Sequence, residues 1–412
     1  MRKTQPEAAG LDRRRLERIG IWMQRYVDER KFAGASVLIA RGGQEVYFDA
    51  RGQRNIARDL DFTRDTVVRL YSMTKPITTL AAMCLIERGM FHLDAPASEF
   101  IPAFSDMRSL IKGAERLDQV EPCAVPTIHQ LMTHTSGLSY PFNPGVLPRA
   151  MDEGDLMFRP AQGNLADMAE RVAALPLAFH PGKRWEYSVG IDILGRVIEV
   201  VSGQSLDKFL REHILGPLGM TQTAFRVPKA TGERFAALYT PLAGDAMALN
   251  TARKGDDSLR LADAPGSSPF ECTTLFSGGG GLVGTIDDYM QFAEYLRSGM
   301  TGQGARIVGP RTLEFMMRNH LPGDIASMGP QSFAEQPMQG MGFGLGGAVV
   351  IDPARTRAPS SVGDFSWGGM ASTFFWVDRA QDLSVVFFTQ LAPSSAYPAR
   401  PQLKALVQGT LT

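Results

Sequence analysis

Between Leu11 and Arg30, the apolar positions Leu11, Leu16, Ile19, Met23 and Val27 recur near helical spacing among many charges. This predicts an amphipathic surface helix that ends before Gly34. The period then shortens. Ala35–Ala40 and Glu45–Phe48, separated by Arg41-Gly42-Gly43, read as a β-hairpin, so the chain does not begin as a βαβ repeat. From Pro76 to about Leu218 helical periodicity dominates, broken by loops such as Tyr140-Pro141-Phe142-Asn143-Pro144-Gly145. After about Thr273 short strand-like runs return at Gly346–Ile351, Thr373–Val377 and Leu383–Thr389, with helices near Asp287–Leu296 and Arg311–Met317. The two ends are therefore expected to share one antiparallel sheet, with the helical block inserted between them. No repeat of solenoid or propeller period is visible.

Composition narrows the function classes. The 412 residues are long enough for a large core, and 44% hydrophobic with 21% charged residues is ordinary for a folded chain. Lys plus Arg and Asp plus Glu both count 43, so no basic surplus favours a nucleic acid partner. No apolar run approaches the ~18 residues of a membrane span, and the basic start is followed by charges rather than by an apolar signal segment. A cytoplasmic protein is expected. Cys84, Cys123 and Cys272 have no CxxC spacing and are expected to be buried free thiols.

Several chemistries lack their motifs. HExxH is absent, and His129 and His134 fall on different faces of a helix, so no metal is expected. G-x-S-x-G is absent too. Gly342–Gly347 fits G-x-G-x-x-G, but a strand-like run follows where a helix must start, so it reads as a glycine-rich entry to a strand. S-x-x-K, a serine one helical turn from a lysine that can take its proton, occurs at Ser72/Lys75, Ser109/Lys112 and Ser205/Lys208. Ser205 reads as a helix N-cap and Ser109 as solvent-facing. Ser72 opens a strongly patterned helix, with Ile77, Leu80, Ala81, Cys84 and Leu85 on one face, Pro76 in its first turn and Gly89 past its end. That placement aims backbone N–H groups at a developing oxyanion and holds Ser72 in register with Lys75. Spacing alone leaves a second reading, in which Ser72 caps the helix and Lys75 snorkels.

The surrounding residues choose between these readings. Tyr71-Ser72-Met73-Thr74-Lys75-Pro76 resembles the first motif of the class C β-lactamase-like serine hydrolases, and within them the family VIII carboxylesterases. Leu131–Leu138, Pro181–Gly190 and Pro217-Leu218-Gly219-Met220 follow in the order of that family. The resemblance implies that Tyr187, in Tyr187-Ser188-Val189, fills the Tyr-x-Asn motif and shares proton transfer with Lys75. It also implies that Trp367-Gly368-Gly369-Met370 stands where Lys-Thr-Gly is usual. An indole there replaces a carboxylate-binding lysine, which favours an uncharged ester over a penicillin. The N–H groups of Ser72 and Met370 would form the oxyanion hole, with Trp367, Gly368 and Gly369 lining the substrate pocket. His134 is expected to support its loop, Ser277–Gly281 to mark the return into the sheet, and the loops 140–162 and 241–272 to shape the pocket.

These readings imply an α/β chain of α+β type, with an antiparallel sheet flanked by helices as in β-lactamases and penicillin-binding proteins. Residues 1–75 and 273–412 are expected to form the sheet domain and 76–272 a mainly helical one. The expected activity is hydrolysis of short-chain carboxylic esters through a Ser72 acyl-enzyme, with no cofactor and a small-molecule ester as partner. Nucleic acid and membrane are not expected partners, and no pattern in the sequence encodes an oligomeric state. Rival readings are an acyltransferase with the same acyl-enzyme, a β-lactamase or D-amino-acid peptidase, and a non-catalytic binding protein on the same scaffold.

Overall fold

The computed structural model describes residues 1–156, 159–243, 253–254, 259–334, 336–394 and 396–412. Helix α1 (Arg13–Asp28) starts at Asp12, whose carboxylate accepts from the Arg15 N–H. It leads into the hairpin of β1 (Gly34–Arg41) and β2 (Gln44–Asn55). Gly42 and Gly43 join these strands at φ of 59° and 79°, the conformation that a two-residue hairpin turn matched to strand twist requires. A short strand β3 (Val68–Arg69) precedes α2 (Thr74–Glu87), and the helical block includes α3 (Gly190–Ser202). Strand β4 (Val283–Gly284) and helix α4 (Ile286–Ser298) follow, then β5 (Met341–Phe343), β6 (Ala348–Val350), β7 (Phe365–Gly368), β8 (Phe374–Asp378), β9 (Leu383–Thr389) and α5 (Ala399–Gln408).

The main sheet runs β2-β1-β9-β8-β7-β6-β5, all antiparallel, with Arg2–Lys3 and Leu60–Asp61 also paired to β2. The chain's two ends meet within it, where Ile39 pairs with Val385 and Val37 with Phe387. Side chains alternate between faces along each strand. Val37, Ile39, Trp376 and Phe387 pack beneath α1 and α5, while Leu38, Phe375, Val386 and Phe388 face α4 and the larger core. Helices thus cover both faces, which is why these strands carry near-continuous apolar runs rather than the alternation of a half-solvated antiparallel sheet. The larger core continues through α2 and α3 into the middle of the chain.

Several local expectations are revised. Helix α2 is buried all round: Thr74, Lys75, Thr78 and Thr79 are buried along with its apolar positions. Ser72 lies in a single 3₁₀ turn, Tyr71–Met73, and the α-helix begins at Thr74, with Pro76 its third residue. The Gly342–Gly347 run ends one strand and enters the next, and Gly346, at φ 84°, backs onto the Lys75 carbonyl. The middle of the chain carries short strand pairs as well as helices, including Arg108–Leu110 with Val120–Pro122. Ser277–Gly281 leads to β4, which pairs with β3 rather than joining the main sheet. Of the cysteines, Cys84 is buried, Cys123 is partly exposed and Cys272 is exposed, so the expectation of buried thiols holds for the first alone. Among the described residues no helix is long and apolar enough to cross a membrane.

Candidate active site

The backbone turns sharply just before Ser72. Strand β3 is held antiparallel to β4, the Leu70 N–H donates to the Leu282 carbonyl at 2.9 Å, and Tyr71 then adopts φ 45°. A left-handed tyrosine is strained and persists only where its surroundings fix it. Here the ring is buried edge-on against Phe270, 5.6 Å between centroids, and burial pushes its phenol pKa up. Beneath it Arg69 is fully buried, bonded to the Asp263 carboxylate and the Ala236 carbonyl, each at 2.7 Å, with its guanidinium 4.0 Å from the Phe235 ring centre. The result is a rigid footing for the serine. The phenol of Tyr289 donates to the Met73 carbonyl at 2.9 Å, fixing the other side of the turn.

Lys75 is fully buried, with Nζ 3.3 Å from Ser72 Oγ, 3.0 Å from Tyr140 Oη and 2.8 Å from the Gly279 carbonyl. Tyr187 meets the same amine through its ring, whose centre lies 4.5 Å from Nζ. Its hydroxyl and the Trp367 indole N–H have no hydrogen-bond partner among the described residues. Both residues line the cavity over Ser72, so they bring two unengaged polar groups to it. His134, at φ 56°, stacks edge-on against Tyr187, and its Nδ1 accepts from the Ser188 N–H at 3.2 Å. Burial and the charge of Lys75 hold its pKa well below the usual histidine range, so it stays neutral.

That cavity, counted together with the solvent space at its mouth, spans about 740 Å³. Tyr71, Tyr140, Phe142, Tyr187, Phe333 and Trp367 make its walls largely aromatic. Arg400 is the charged residue among its described lining and lies 5.3 Å from the Phe374 ring centre. Gly368, Gly369 and Met370 line the cavity at the end of β7. A Cβ on Gly369 would collide with the Leu70 carbonyl, so glycine is what allows this strand end to approach the turn that carries Ser72. Ser72 and Met370 therefore border the same space.

Residues 22–409 match the Beta-lactamase family. The chain belongs to that family. Esterase EstB of Burkholderia gladioli is 33% identical over 94% of this chain and 93% of its own length. Lovastatin esterase of Penicillium rubens is 28% identical over 87% and 89%. Among solved structures, EstCE1, described as a hydrolase with promiscuous acyltransferase activity, superposes with a TM-score of 0.77 at 29% identity, over 96% of this chain and 99% of its own.

Within this β-lactamase-family chain, the three serine-lysine patterns are now distinguishable. Ser109 is fully buried in a short strand, contrary to the solvent-facing expectation, and Leu177, distant in sequence, bridges to it. Ser205 occupies an N-cap position, yet its hydroxyl donates to Asp207 Oδ1 at 2.6 Å instead of capping the helix. Of the three serines, Ser72 is the one that lines the cavity and bonds its lysine. From the loop 140–162, Tyr140 and Phe142 reach the cavity. The described part of 241–272 instead packs behind Tyr71 through Phe270, and the rest of that expectation concerns 244–252 and 255–258, outside the described residues. Phe333 and Arg400 were not anticipated, and neither were the bonds of the Tyr140 hydroxyl and the Gly279 carbonyl to Lys75, although the loop 140–162 and the run Ser277–Gly281 were singled out for other roles. Tyr187→Phe is expected to lower ester turnover at least ~10²-fold with little loss of stability, because its hydroxyl has no hydrogen-bond partner among the described residues; paired steady-state kinetics and thermal melts check this.

Proposed function

We propose that the protein is a serine carboxylesterase that hydrolyses short-chain esters through an acyl-enzyme on Ser72. The observation that carries this reading is the Lys75 to Ser72 hydrogen bond, 3.3 Å, at the foot of an aromatic cavity. In acylation the Ser72 oxygen bonds to the ester carbonyl carbon while its proton passes to the Lys75 amine. The carbonyl electron pair moves onto oxygen, where the Ser72 and Met370 N–H groups receive it. Collapse breaks the bond to the alcohol, which leaves with a proton delivered through Lys75 and the Tyr187 hydroxyl. Water then repeats the sequence on the acyl-enzyme and releases the acid. No step calls for a cofactor. Trp367 on the cavity wall, in place of a lysine, supports an uncharged acyl group over a β-lactam carboxylate. On this reading residues 1–75 and 273–412 form the sheet domain, 76–272 the mainly helical one, and the site lies between them.

The likeness to EstCE1 favours one second reading, transfer of the acyl group to an alcohol in place of water. Hydrolysis of p-nitrophenyl esters of graded acyl length, with and without added alcohol, tests both. Turnover greatest with short acyl groups supports the esterase, and ester formation that outruns acid release supports the transferase. No turnover under either condition, together with failure of a fluorophosphonate to label the protein, overturns the reading.

A further inference from the structure

The two groups that share Lys75 with Ser72 are both tied to one buried carboxylate. Asp192, 1% exposed on the first turn of α3, accepts from the Gly279 N–H at 3.0 Å and from the Ser277 hydroxyl through Oδ1, and from the Tyr140 hydroxyl at 3.4 Å through Oδ2. Gly279 and Tyr140 are the residues whose oxygens receive the Lys75 N–H groups. We propose that Asp192 and Tyr140 are positioning residues: in the neutral form in which Lys75 can take a proton, they direct its lone pair at the Ser72 hydroxyl. This inference rests on the esterase reading and deepens it.

The proton count enforces the orientation. A neutral amine has two N–H bonds and one lone pair, and its three neighbours are the Gly279 carbonyl, the Tyr140 oxygen and Ser72. A carbonyl only accepts. Tyr140 spends its own proton on Asp192 and so presents only its lone pairs to Lys75. Burial and Asp192 hold the Tyr140 pKa well above the usual phenol range, which keeps that proton in place. Both N–H bonds are then assigned, and the lone pair is left for the Ser72 proton. Without Asp192, Tyr140 is free to donate to Lys75, which occupies the lone pair and turns the amine away from its task. When Ser72 gives up its proton, the new ammonium lies two hydrogen bonds from the Asp192 carboxylate, by way of Tyr140, and this steadies it. The other titratable groups facing Lys75 are Tyr187, through its ring, and neutral His134.

The test measures fluorophosphonate labelling of Ser72 against pH, and kcat and KM for p-nitrophenyl acetate, in the wild type, Asp192→Asn, Tyr140→Phe and the double variant. The expected result is a fall of at least ~10-fold in kcat for each single variant, with KM changed less than ~2-fold. The acidic limb of the labelling rate is expected to move to lower pH by ~1. The double variant should lose little beyond the worse single one, because both residues act through one amine. If Asp192→Asn fails to fold, Tyr140→Phe alone, which removes one oxygen, carries the same two readouts. Wild-type protein that never labels overturns the esterase reading. Labelling with an acidic limb that stays in place in the variants, or with losses that add, overturns this inference alone.

Discussion

Ser72→Ala is expected to abolish fluorophosphonate labelling and to lower kcat for p-nitrophenyl esters at least ~10⁴-fold, with the melting temperature unchanged within a few degrees. The two halves of that expectation have separate causes. Chemically, Ser72 is a cavity-lining serine bonded to a buried lysine, and on the proposed mechanism no acyl-enzyme forms without it. Structurally, the turn around it is held by Leu70, Tyr71 and the Tyr289 phenol rather than by the serine hydroxyl, so one lost oxygen leaves the backbone supported. Ser109→Ala and Ser205→Ala serve as controls and should label at the wild-type rate. Labelling lost in either control but retained in Ser72→Ala would place the nucleophile elsewhere. Active-site titration with intact-mass detection reads all three variants directly.

The sequence made some of this architecture legible because the signals were local. Two interior strands paired with each other, β1 and β9, announce themselves as apolar runs, and the Gly42-Gly43 turn between β1 and β2 carries its own backbone requirement. Ser72 and Lys75 are likewise one turn apart in the chain, so their juxtaposition follows from helical geometry alone. Tyr140, Asp192 and Gly279 come from three distant segments and reach Lys75 only through the fold. No spacing rule connects such residues. The same limit explains the misreadings. Helix α2 looks one-sided in sequence, yet two of its threonines are bonded to a neighbouring loop: the Thr78 hydroxyl donates to the Gly278 carbonyl at 2.9 Å and that of Thr74 accepts from the Leu282 N–H at 3.1 Å. Bonded hydroxyls can be buried at little cost, and hydrophobic periodicity does not register them.

Lys75→Ala should be the next most damaging substitution and, unlike Ser72→Ala, should also weaken the fold. The amine is fully buried, and its removal leaves the Gly279 carbonyl without this donor and the Tyr140 hydroxyl with its bond to Asp192 alone. Each buried polar group left unpaired costs about 1–3 kcal/mol, and the cavity vacated by the side chain adds to that loss. Denaturant titration is expected to show a clearly lowered midpoint. In kinetics the loss is at least ~10²-fold in kcat, the usual scale for losing a general base, and phosphonate labelling should slow in parallel because it needs the same proton removed from Ser72. Lys75→Arg separates the two effects. It restores a buried cation able to donate to Tyr140 and Gly279, but a guanidinium does not deprotonate near neutrality and has no lone pair to offer Ser72. Stability should therefore recover in part while activity does not. Activity that returned with arginine would mean that position 75 contributes charge alone, and the proton would then have to leave Ser72 through Tyr187.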